Sequence, residues 1–191
     1  FIKYAEFNVT ADALQKADSY DVTSQSEDSK LNYIEILSYL GAKYGGDFSK
    51  YKQSDMDNLC SRLKDGKTIA ELTKDMKYYT YYYNVYTAVL NGMVGNFEEE
   101  QSDGSIKQDY GVRWFSPIAK TFPYSHYDDF GAKRTFGYTR PHLGHDLMSA
   151  VGTPVIAVES GRVECLGWNR YGGWRIGIRS LDNKRYWYYA H

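Results

Sequence analysis

His142 and Asp146 lie four residues apart in the segment Arg140-Pro141-His142-Leu143-Gly144-His145-Asp146. An imidazole and a carboxylate at that separation suit a borderline divalent cation such as zinc, which accepts nitrogen and oxygen ligands in a tetrahedron. Pro141 and Gly144 break a helical pattern, so the pair belongs on a bent strand or turning loop. There Gly144 is expected to give the backbone the freedom that lets both side chains converge. His145 is a less suitable partner, because neighbours along an extended chain point to opposite faces. If Asp146 faces an ion, His145 faces away from it. His126 precedes Tyr127-Asp128-Asp129, a further group of donors, read here as a surface or cleft-lining loop. A catalytic zinc needs three protein ligands and one open position for water, so His142 and Asp146 are two parts of such a site.

The flanking residues extend the pattern. Gly152-Thr153-Pro154-Val155-Ile156-Ala157 follows closely, then Gly161-Arg162-Val163, then Tyr189-Ala190-His191. Together with His142, Gly144 and Asp146, in this order, they resemble the lysostaphin (LytM-type) zinc metallopeptidases, which cut peptide bonds in bacterial cell-wall peptidoglycan. The resemblance covers Gly131 to His191. It implies that His142 and Asp146 bind Zn2+, and that the third ligand is the second histidine of a His-x-His. No such motif occurs up to His191, and it is expected in chain beyond that residue. By the same resemblance His191 stands beside the metal as an orienting base or a donor to the oxyanion. Tyr127 and Arg134 belong to a segment that helps build the substrate groove, and Gly172 to a loop flanking the cleft. The implied substrate is a peptidoglycan peptide, and the implied location the bacterial envelope or the exterior, reached by an export or anchoring segment outside this chain. The alternative is a catalytically inactive LytM-type scaffold or activator of other wall enzymes. A third reading is a wall-binding module dominated by its aromatic residues.

The elements that must position these residues point to an α+β protein. Its 191 residues and 42% apolar content suffice for one large domain or two small ones. A net charge of -1 gives no electrostatic reason to expect nucleic acid as partner. No apolar run reaches the ~18 residues needed to span a bilayer. Cys60 and Cys165, the two cysteines, fall in different expected domains and suit small buried apolar positions better than a disulfide.

Residues 1–97 are expected to form a helical domain, 98–110 a linker, and 111–191 an antiparallel, LytM-like β domain, incomplete at its C-terminus. In the first, Thr10 caps a helix over Ala11 to Ser19, and Asp21 to Ser29 forms a loop. A second helix runs from Lys30 to Gly45-Gly46. Ser54 with Asp57 resembles a capping box, and Thr68 with Glu71 makes a better one, opening Ile69 to Met76. Tyr78 to Leu90 makes one more helix, whose tyrosines suit packing in a thin bundle better than sugar binding. This helical domain is expected to position the enzyme and to offer a surface for a cell-envelope protein partner. Beyond the linker, apolar residues alternate over Val155 to Val158, Arg162 to Gly167, Trp174 to Arg179 and Arg185 to His191. Trp168, Tyr171 and Trp174 either wall a cleft or cover the sheet.

Overall fold

Thr10, Asn32 and Thr68 each place a side-chain oxygen at a helix start, accepting from Ala13, from Ile34 and Glu35, and from Glu71 respectively. They open three of the five helices of this computed structural model, which describes residues 7–191. The first six residues of the expected helical domain lie outside the described residues. The helices are α1 (Ala11–Ser24), α2 (Tyr33–Tyr44), α3 (Gln53–Lys64), α4 (Ile69–Thr73) and α5 (Tyr79–Leu90), with a 3-10 turn over Phe48–Lys50. The strands that follow are short and antiparallel, giving a mixed α+β protein. The chain divides into two compact units, one ending at Arg113 and the other spanning Trp114–His191.

Several boundaries differ from expectation, each for a local reason. α1 continues to Ser24 instead of stopping at Ser19. Asp21 is buried there, and its carboxylate accepts from the Tyr33 amide at 2.9 Å and the Tyr110 hydroxyl at 2.8 Å. A polar residue that looks like loop is thus the anchor of a helix end. The Ser54–Asp57 box does not form: α3 starts after Lys52 with no side-chain cap. The Thr68–Glu71 box does form, but α4 ends at Thr73. The tyrosine-rich stretch is the helix α5, as its spacing predicts.

Residues 98–110 are folded. β1 (Val94–Glu100) and β2 (Ile106–Val112) make a hairpin, with Glu98 opposite Gln108 and their side chains hydrogen-bonded at 2.8 Å. Gly104, at φ 80, and Asp103, which accepts from the Ser105 amide, shape its turn. The Tyr110 hydroxyl then ties this hairpin to Asp21 of α1.

The core of the first unit joins Ala13 and Ala17 of α1, Ile36, Leu37 and Leu40 of α2, Phe48, Met56 and Leu59, and Tyr86 and Leu90 of α5. Cys60 lies in that core, and burial pushes its thiol up to about 12. Cys165 is half-buried, and both are free thiols.

The second unit is built from three small sheets. β3 (Ser125–Tyr127) pairs with β6 (Asp146–Met148), and β4 (Lys133–Arg134) pairs with β5 (Arg140–Pro141). β7 (Gly161–Asn169), β8 (Gly173–Ser180) and β9 (Tyr186–Ala190) form a meander. Val155 to Val158 is not a strand; it contributes one bridge, Val155 to Ile118, and a bond from the Phe115 amide to the Val158 carbonyl. Glu159 is buried beside it, gripped by Arg185 at 2.6 and 2.9 Å and by the Trp187 indole at 2.9 Å. Trp168 and Trp174, directly opposed on β7 and β8, stand exposed.

Candidate metal centre

The site is assembled by one turn and two very short ladders. At the turn, the Ala132 amide donates to the Asp129 carbonyl at 3.0 Å, with Gly131 in the left-handed region at φ 81. A side chain is strained in that conformation, so glycine belongs there. The Gly131 amide then donates to the His142 carbonyl at 2.6 Å, and the His142 amide to the Ala132 carbonyl at 2.8 Å. These two bonds continue the β4–β5 pairing, in which Arg134 lies opposite Arg140. They lay Asp129 against His142. On the other side, β3 and β6 set Tyr127 directly opposite Asp146.

Asp129, His142 and Asp146 consequently each present a ligand atom within 4.8 Å of the others. His142 Nδ1 is 3.2 Å from Asp129 Oδ2, and its Nε2 is 3.6 Å from Asp146 Oδ1. All three residues are half-buried. A single nitrogen of Arg134, Nη2, donates to Asp146 Oδ2 at 2.7 Å and to Asp129 Oδ2, and stands 3.0 Å from His142 Nδ1. Burial acts to raise the Asp129 carboxyl, but the bonds from Arg134 and Asp146 and the charge of His142 outweigh it. Asp129 therefore sits below the ordinary carboxylate range.

This donor set fits a metal on two grounds. One nitrogen and two carboxylates are ligands that zinc accepts, and that manganese or iron also take. Asp129 Oδ1 is buried and has no hydrogen-bond partner. An unpaired buried acceptor is costly, and a cation supplies what it lacks.

The expected site residues divide accordingly. His142 and Asp146 converge, as their spacing implies. Arg134 stands at the centre of the cluster, in contact with all three. Tyr127 is exposed and shares a strand face with Asp146, since directly opposed residues project to the same side. His191 is not in the cluster; it follows β9, its amide donating to the carbonyls of Gly172 and Trp174. Gly172 donates to Asn169 Oδ1 at 2.6 Å, and a Cβ there would meet the Tyr188 hydroxyl at 2.7 Å. Its φ lies outside the left-handed region, and its missing Cβ leaves room for the Tyr188 hydroxyl.

Gly144 also departs from expectation. Its φ is not in the left-handed region, and a Cβ there would stand 3.4 Å from His142 Nε2. It leaves room beside the imidazole and does not turn the chain. His145 is not one of the cluster's donors and pairs with His126, ring nitrogen to ring nitrogen at 3.3 Å. Tyr171 stacks edgewise on Phe136 and Tyr138. It lies so close to Gly137, at φ 80, that a Cβ there would be 2.5 Å from its ring. It thereby braces the turn between β4 and β5.

Asp129 is the donor that sequence reasoning passed over. The signal lay in the residues after it: Phe130-Gly131-Ala132 makes the turn that returns Asp129 to His142.

No protein-family model matches the chain, and no solved structure matches it. Over 83 residues it is 45% identical to a curated protein of Bacillus subtilis (strain 168), the L-Ala--D-Glu endopeptidase. The match takes in 44% of this chain and 25% of that protein. This chain thus spans about a quarter of the length of the curated relative that it matches.

Proposed function

We propose that this protein belongs to a zinc-dependent, LytM-type endopeptidase that cleaves peptide bonds of bacterial peptidoglycan. The observation that carries the reading is the cluster of Asp129, His142 and Asp146, in which Asp129 also keeps a buried, partnerless carboxylate oxygen. The identity to an L-Ala--D-Glu endopeptidase supports the substrate class, because a bond between L-alanine and D-glutamate belongs to the stem peptides of bacterial walls. The same reading puts its place of action in the bacterial envelope or outside the cell, where such a substrate lies.

Held by these residues, a zinc ion would supply a water acidified to a pKa of about 7 and a polarised scissile carbonyl. The protein's part is to hold and orient. His142 and Asp146 are the ligands that the motif implies, and Asp129 is the further donor that the fold brings to them. The backbone bonds of His142 fix where its imidazole stands, and Tyr127 lines the face from which a peptide would approach Asp146. His191 keeps its proposed role as an orienting base or oxyanion donor.

One observation favours the alternative of an inactive scaffold: Arg134 already neutralises both carboxylates. Metal analysis separates the two readings. Purified protein should take up about one zinc per chain, and His142→Ala should abolish that uptake. Asp129→Asn should weaken it about tenfold or more, at least the loss seen on removing a group that merely orients a ligand. A tetrapeptide containing an L-Ala–D-Glu bond should be cleaved, and chelator should stop the reaction. A chain that takes up no zinc, and whose H142A variant matches wild type in every respect, leaves the scaffold reading in place.

A further inference from the structure

The centre of the cluster is already held by a cation, and it belongs to the protein. Arg134 Nη2 makes contact with one atom from each of the three residues that could ligate a metal: Asp129 Oδ2, Asp146 Oδ2 at 2.7 Å and His142 Nδ1 at 3.0 Å. A donated N–H and a divalent ion cannot share the same lone pairs. Nor can a guanidinium stay within hydrogen-bond distance of a bound dication without strong like-charge repulsion, least of all where the surroundings are half-buried and poorly screened. The Arg134 side chain is about one-third exposed (34%) and stands on a strand only two residues long, so it has solvent to swing into. The carboxylates it leaves are the charges that an incoming ion needs.

We infer that Arg134 is a resident counter-cation of the metal centre, and that metal uptake is an exchange in which the ion expels the guanidinium. The inference rests on the reading of this cluster as a metal site. Its physical content is a competition. Without the ion, Arg134 relieves the repulsion between Asp129 and Asp146 and keeps the turn at Gly131 closed on His142. With the ion bound, that relief comes from the metal, and the guanidinium stands free at the rim. Arg134 is then a positioning residue whose presence lowers metal affinity while preserving the geometry of the empty site. It also sets a selection: an ion that binds weakly to carboxylates does not displace the guanidinium, and one that binds strongly does.

Calorimetric zinc titration of the wild type, of Arg134→Met and of His142→Ala tests this, with thermal melts of each protein before and after zinc. R134M keeps the bulk of the side chain and removes its charge. It should bind zinc about tenfold or more tighter than wild type, the electrostatic competitor being gone. Its metal-free form should melt lower, and zinc should raise its melting temperature by more than it raises that of the wild type. In parallel, wild type labelled with 15N-arginine should show the Arg134 guanidinium signals moving to faster solvent exchange as zinc is added. Equal or weaker zinc affinity in R134M, with binding still lost in H142A, overturns the exchange and leaves the metal-centre reading standing. Arg134 signals that stay put while zinc binds overturn it in the same way, whatever the folding of the variants. Zinc bound by neither wild type nor R134M overturns both.

Discussion

Tyr33 and Tyr86 carry the same hydroxyl into the same core with opposite outcomes. Tyr33 donates to the Leu90 carbonyl at the end of α5, while the Tyr86 hydroxyl is buried with no partner. Removing a satisfied buried hydrogen bond costs about 1 kcal/mol, and removing an orphaned polar group costs little or stabilises. Tyr33→Phe should therefore lower unfolding stability by about 1 kcal/mol, and Tyr86→Phe should leave it unchanged or raise it. Paired denaturant titrations check both. Residue identity alone could not have separated these two tyrosines, because the difference lies in which carbonyl each ring reaches. The same limit hid Asp129. His142 and Asp146 were legible, being close in sequence within a known pattern, whereas Asp129 arrives through a turn and two backbone bonds to His142. Arg134 could be singled out from its segment, but its position between two carboxylates follows only from the pairing of β4 with β5.

At the scale of elements, the packing of α2 on α5 turns on one missing methyl. A Cβ at Gly41 would stand 2.8 Å from the Tyr86 hydroxyl, 3.0 Å from its ring and 3.1 Å from the ring of Tyr82. Alanine gains about 1 kcal/mol over glycine inside a helix. Overpacking a full core costs about 1–3 kcal/mol, and Tyr86, wholly buried, has nowhere to go. Gly41→Ala should then be destabilising on balance, and less so in a Tyr86→Phe background, where the nearest atom is gone. A double-mutant cycle of melts measures that coupling. Helices were legible where caps and apolar spacing coincide, as at Thr10, Asn32 and Thr68. The end of α1 and the hairpin over 94–112 were not, because both depend on Asp21, whose carboxylate serves partners remote in the chain. A run of acidic and amide residues looks like a solvated connector until such a partner is known.

For the whole molecule, the two units differ in what holds them. The first has a continuous apolar core. The second relies more on polar ties, chiefly Glu159 and Asp182 on Arg185. Burial acts to raise the Glu159 carboxyl, yet the bonds from Arg185 and Trp187 outweigh it, so it titrates below its ordinary 4.5. Asp182 is brought down from 3.8 to about 2, mainly by the Ser180 hydroxyl and then, against burial, by the Lys184 amide and Arg185. Depressed carboxylates stabilise the fold fully above their unfolded values and lose that contribution as pH falls through their folded ones. Stability of the second unit should hold above pH 4.5 and decline as the pH drops from there towards about 2. All four tryptophans lie between residues 114 and 187, so their fluorescence follows this unit, while far-ultraviolet circular dichroism is weighted towards the helices of the other. Glu159→Gln should flatten the acid limb of the fluorescence curve.

The two free cysteines give each unit its own clock. Cys60 sits at 1% exposure in the helical core, whereas Cys165 is half-buried on β7. A thiol reagent can reach the first only when the helices part, and it meets the second after a much smaller fluctuation. The order and spacing of two alkylation events, read by mass, would therefore time the breathing of each half of the protein without any added label.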